Sequence, residues 1–201
     1  YLFGSVPDEA AVAAVAGWAD ARRLLLESLP KNDDAAPKER RHSPHPSPQG
    51  EVTMPAHTVR LHRVLRATPE RIYRAFLDAD AMAKWLPPHG FTGKVHHMDA
   101  CVGGSYKMSF TNFTSGRSHT FGGEFLELVP HERLRYSDRF DDPNLPGVMQ
   151  TTVSLRPVSC GTELSVVQEG IPEAIPVEAC YLGWQESLLL LAQLVEAVIP
   201  D

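Results

Sequence analysis

The sequence lacks both common phosphate-binding glycine loops, G-x-G-x-x-G and G-x-x-x-x-G-K-[ST], so nothing in it points to a nucleotide. A G-x-S-x-G elbow is missing too, which argues against an α/β-hydrolase. Basic residues are in the minority. The formal net charge of −6 has the wrong sign for a general nucleic-acid binder, which presents a basic face. No apolar run approaches the length of a membrane-spanning helix, so no membrane partner is expected. Cysteine is scarce: Cys101, Cys160 and Cys180 are odd in number and show no C-x-x-C spacing. Reduced thiols in a cytosolic protein are the expectation, with no disulfide framework. The nearest approach to a metal cluster is His96, His97, Asp99 and Cys101. On a strand, His97, Asp99 and Cys101 share one face, whereas a metal needs ligands converging from several elements. A polar edge is expected there, with no metal and no cofactor.

What is present is the texture of a globular protein, 43% hydrophobic and 22% charged over 201 residues, enough for one sizeable domain and an appendage. Residues 1–29 hold one helical candidate, roughly 8–29, rich in alanine and opened by Asp8 and Glu9. A lone helix of this kind is an accessory to something larger. Residues 30–53 carry prolines at 30, 37, 44, 46 and 48 among many charges, the composition of a disordered linker. The functional unit is expected over 54–201.

From Thr58 the pattern is one strand, two short helices and many strands. Val59, Leu61 and Leu65 alternate along 58–67. Thr68-Pro69-Glu70 starts a helix with Ile72, Tyr73, Phe76 and Leu77 on its apolar face, and a second short helix runs over about 80–85. Strands follow at 91–99, 104–112, 118–129, 133–140, 149–157 and 162–169, separated by glycine, proline and Asp/Asn turns. The last helix, 176–198, carries an apolar stripe of Val177, Tyr181, Trp184, Leu188, Leu191, Val195 and Val198, with Leu182, Leu189, Leu190 and Leu194 widening it. Short-turn antiparallel strands with a long terminal helix make an α+β domain.

Five stretches then fall in a familiar order: ATPERIYRAFLDADAMAKWL at 67–86, DACVGGSYKMSF at 99–110, GGEFLELVPHERLRYSDRF at 122–140, GTELSVVQEG at 161–170 and LGWQESLLLLAQLVE at 182–196. Residues 56–198 thereby resemble the SRPBCC (START/birch-allergen-like) superfamily, and within it the domain named after the activator of the heat-shock-protein-90 ATPase. The resemblance implies a helix-grip fold, a bent antiparallel sheet wrapped around the C-terminal helix. It also implies a cavity between the two, where many members hold apolar or amphipathic small molecules. The superfamily hands over no catalytic motif. Gly103 and Gly104 suit a bend, Gly161 a turn and Trp184 helix–sheet packing.

Strand alternation offers a set of cavity liners. Trp85 and Phe91 come from the region of the short helices, and Met108, Phe110 and Phe121 from the next two long strands. Tyr136, Phe140 and Met149 come from the strands after those, and Tyr181, Trp184 and Leu188 from the helix. Glu124 and Gln168 are the expected polar anchors, provided that they point inward. His119, Glu124 and His131 are candidates for acid–base work with Tyr136 or Asp138, although no spacing specifies it. Three functions follow. The first is binding of a small apolar or amphipathic molecule without covalent chemistry. The alternatives are a protein-interaction domain acting on a chaperone ATPase and a polyketide cyclase/aromatase-like enzyme.

Overall fold

A computed structural model describes residues 57–199. The expected N-terminal helix and proline-rich linker lie outside the described residues. Seven strands and three helices follow in chain order: β1 (Val59–Leu65), α1 (Pro69–Leu77), α2 (Ala79–Trp85), β2 (Phe91–Met98), β3 (Ser105–Asn112), β4 (Ser118–Val129), β5 (Arg133–Phe140), β6 (Met149–Val158), β7 (Gly161–Glu169) and α3 (Val177–Val195). The strands form one antiparallel sheet in the order β1-β7-β6-β5-β4-β3-β2. The sheet curls into a half-barrel around α3, the helix-grip arrangement that the resemblance implies.

Local chemistry sets the breaks. Pro69 opens α1, where its missing N–H leaves no bond unmade, and Asp78 caps α2 by accepting from Ala81 N at 2.9 Å. Gly161 turns β6 into β7 at φ +143°, and a Cβ there would stand 2.0 Å from Leu65 O. Two register shifts, between Val95 and His97 in β2 and between Phe125 and Glu127 in β4, add bend to the sheet.

The inner face of the sheet and the buried side of α3 enclose the main core, with Leu65, Ile72, Leu134, Val153, Leu164 and Leu191 removed almost entirely from solvent. Each such side chain contributes about 1.5–3 kcal/mol by burial. A second, smaller cluster of Met82, Met108, Phe110 and Phe121 lies toward the β2–β3 end.

The buried line of α3 runs Cys180, Gly183, Trp184, Ser187, Leu188, Leu191, Ala192 and Val195. It shares Trp184, Leu188, Leu191 and Val195 with the expected stripe and departs from it at Tyr181, where the neighbouring Cys180 is buried instead. Tyr181 is 40% exposed, and Leu182, Leu189 and Val198 also face outward. With large apolar residues nearly all round α3, periodicity left two faces in competition, and the curl of the sheet selects the one with small Gly183 and Ser187.

Candidate functional site

The two apolar clusters do not merge completely. Between them lies a concavity whose wall is drawn from both: Phe110 and Phe121 from the smaller, Tyr136, Met149 and Trp184 from the larger. Room for the centres of water-sized molecules amounts to about 60 Å³, and the whole empty volume, with the open mouth included, to about 740 Å³. Leu86, Phe91, His119 and Phe140 are half-buried members of its lining and mark the open side.

Register explains which side chains meet. Gln168 stands opposite Thr151, and Thr151 opposite Tyr136, so β7, β6 and β5 place these three side by side on the inner face. The next inward row pairs Met149 with Asp138, and one step further Phe121 pairs with Phe140 and with Met108. Phe110 and Phe121 meet edge to face at 4.8 Å between ring centres, as Phe121 and Phe140 do at 6.1 Å. The wall is therefore aromatic over most of its extent.

Its floor is polar. Trp184 Nε1 donates to Gln168 Oε1 at 3.0 Å, which leaves the amide nitrogen of Gln168 only a weak contact with Met149 Sδ at 3.8 Å. Thr151 Oγ1 is fully buried and approaches the Tyr136 hydroxyl, yet meets no partner at hydrogen-bonding geometry. Asp138 Oδ1 is likewise sealed from solvent without a partner, although part of the residue is exposed. Burial pushes the Asp138 carboxyl up to about 7, against the opposing pull of the Tyr106 hydroxyl and the Arg139 amide. That Tyr106 hydroxyl donates to Ser137 O at 3.0 Å. Burial, with the nearby Asp138 charge, raises Tyr106 and Tyr136 as well. Ser187 Oγ lies 2.6 Å from Leu86 O and 2.9 Å from Gly183 O, so it ties α3 to the end of α2 beside the cavity.

Of the side chains expected at such a site, Phe91, Phe110, Phe121, Tyr136, Phe140, Met149, Gln168 and Trp184 line it. The others stand elsewhere. Trp85 is sealed between the short helices, with its Nε1 donating to Ala75 O at 2.8 Å and its ring against Phe76. Met108 is buried in the smaller cluster, and Leu188 in the main core. Glu124 is exposed, because Phe121 and Phe125 both point inward and put position 124 on the opposite face. Tyr181 is turned outward, as described above.

The acid–base candidates separate as well. His119 and Asp138 line the same cavity, whereas His131 sits against Tyr73 with its imidazole 3.8 Å from Glu70. Thr151 and Ser187 were missing from the expected lining, though a signal existed for each. Thr151 is two strand residues beyond Met149, and Ser187 three helix residues beyond Trp184. Farther off, His96 bonds Ser109 Oγ and Cys101 donates to Asp99, so these side chains have local partners.

Residues 66–196 match the family model described as Activator of Hsp90 ATPase homolog 1-like protein. No curated protein matches the chain. Among solved structures, a crystal structure of a Chromobacterium violaceum protein shares 66% identity at a TM-score of 0.70, covering 71% of this chain and 99% of that one. A Rhodobacter sphaeroides protein is similar in fold at 23% identity and a TM-score of 0.61, covering 70% of this chain and 93% of its own. A Nitrosomonas europaea protein follows at 21% and 0.59, covering 70% and 94%.

Proposed function

The chain belongs to the family of activator of Hsp90 ATPase homolog 1-like proteins, and on that premise we propose that it binds a small apolar or amphipathic molecule between sheet and helix. Residues 54–201 are the binding unit in this proposal, and 1–53 an appendage to it. The observation that carries the proposal is a concavity with aromatic residues in its wall, lined also by Asp138 and Thr151, each with one buried oxygen that makes no hydrogen bond among the described residues. A buried polar atom without a hydrogen bond costs about 1–3 kcal/mol, so its persistence is understandable where a ligand or water completes it. Affinity comes mainly from apolar burial, at roughly 25 cal/mol per Å², after the cost of immobilising the ligand. The floor sets orientation.

Native mass spectrometry of the freshly purified full chain, set against its denatured mass, is the test. A retained non-covalent adduct supports the proposal and gives the occupant's mass. A bare protein that also takes up no apolar fluorescent probe overturns it.

A second reading, a cyclase-like enzyme, has one observation in its favour. His119 and Asp138 share the cavity, and a carboxyl pushed up to about 7 exchanges protons readily at neutral pH. An adduct whose mass changes with incubation, and stops changing in His119→Gln and Asp138→Asn variants, distinguishes turnover from storage.

A further inference from the structure

The carboxyl on the cavity floor has a consequence for the charge of the occupant, and the inference rests on the ligand-binding function proposed above. Among the described residues, the lining contains no Lys and no Arg. Nothing there is built to receive a carboxylate or a phosphate, which need strong donors or cations. The lining's one carboxyl is that of Asp138; the Tyr106 hydroxyl and the Arg139 amide act on it, yet its Oδ1, sealed in this structure, makes no hydrogen bond, and neither does the sealed Thr151 Oγ1. The walls are built from the rings of Phe110, Phe121, Phe140 and Tyr136, the first three in edge-to-face contact with one another through Phe121. Aromatic faces attract cations, and more strongly when water is excluded. A neutral apolar molecule would fill the walls and leave both oxygens orphaned. An anion would face the carboxyl without compensation.

We infer that the site selects an amphipathic organic cation: a protonated amine whose N–H donates to the Asp138 carboxylate and whose apolar body lies among the aromatic rings. One arrangement then satisfies the acceptor, the rings and the buried charge together. The titratable groups around Asp138 do not duplicate its role. Tyr106 from β3 and Tyr136 from the same strand are both held neutral by burial, while β6 contributes Met149 and Thr151, neither of which ionises. His119 of β4 is also on the lining, nearer Asp142, whose carboxyl is lowered chiefly by hydrogen bonds from Asn144 and to a lesser degree by His119. The geometry also predicts a proton count. An ammonium that pairs with Asp138 requires the carboxylate, so any proton on that carboxyl leaves for the buffer when the amine binds.

The experiment is calorimetric titration of the full chain at neutral pH with phenylpropylamine, phenylpropanol and phenylpropionate, which share one apolar body. The amine is expected to bind about 10-fold tighter than the alcohol or better, with the propionate weakest. Its heat should vary between buffers as proton release demands. Asp138→Asn, which keeps the shape, should remove most of the amine's advantage and its proton release, and leave the alcohol's affinity within about 2-fold. A propionate that binds best, an amine no better than the alcohol, or a preference that survives in Asp138→Asn overturns the cation while leaving a ligand-binding cavity intact. If none of the three binds or displaces a co-purified molecule, the binding function itself fails and the inference falls with it.

Discussion

Trp184 and Gln168 join across the interior: the indole N–H of α3 donates to the side-chain carbonyl of β7 at 3.0 Å, with both residues almost fully buried. This is a polar strut between the helix and the sheet that grips it. Gln168→Leu strands the indole N–H, and Trp184→Phe strands the Gln168 carbonyl, each at a cost of about 1–3 kcal/mol. The double substitution should cost clearly less than the sum of the two, because no donor or acceptor is then left alone. Urea unfolding of the four proteins measures the coupling. Strict additivity would show that the bond contributes nothing.

Asp138 makes stability depend on pH. The carboxyl's native value of about 7 lies above its ordinary 3.8, so the folded state holds the proton more tightly than the unfolded chain does. The resulting stabilisation is complete below about pH 4 and is lost as the pH climbs to about 7, for a total on the order of a few kcal/mol. Asp138→Asn should flatten this slope between pH 4 and 7 and be the more stable protein at pH 8. Thermal midpoints across that range decide the matter, and a wild type that grows more stable over the interval contradicts it.

The thiols should divide by burial. Cys101 and Cys160 are exposed, whereas Cys180 is on the buried side of α3 with its thiol pushed up to about 12, chiefly by burial. A disulfide reagent at pH 8 should therefore titrate Cys101 and Cys160 in the native protein and reach Cys180 only after unfolding. Fast modification of Cys180 would mean that the helix leaves the sheet readily.

Gly161→Ala should be costly for a surface turn. The new methyl group would meet Leu65 O at 2.0 Å in a backbone conformation that L side chains rarely adopt, so a loss of roughly 1–3 kcal/mol is expected. Gly116→Ala is the informative comparison, since nothing lies near its Cβ and only the positive φ is penalised. Equal losses in the two would rule out the close approach as the cause.

Much of this molecule can be read from its sequence, for reasons visible in particular residues. Pro69 and Asp78 mark the helix starts, and alternation such as Thr162, Leu164, Val166 and Gln168 fixes strand faces. The sequence left the directions of Gln168 and Glu124 open; alternation applied strictly from Leu164 and Val166 puts Gln168 inside, and from Phe121 and Phe125 it puts Glu124 outside. It failed where polarity argued against it. Asp138 is inward by parity with Tyr136, but a carboxylate on an inner face runs against burial preference, so its place on the cavity floor is clear only from three strands seen together. Tyr181 shows the converse limit. A helix apolar on most sides does not announce which side the sheet will take.

The strand order has one further consequence. A half-barrel, unlike a closed one, ends in two strands, β1 and β2, whose outer edges pair with no further strand among the described residues. Such rims invite another chain to add a strand and begin aggregation. Here each rim carries its own deterrent. β1 places Arg60 and His62 along its exposed side, while β2 carries Lys94, His96 and His97 and is broken by the register shift between Val95 and His97. An approaching strand would have to bury the Arg60 charge at one rim and would meet a misaligned ladder at the other, so the openness that makes room for a cavity carries its own guard against edge-to-edge pairing.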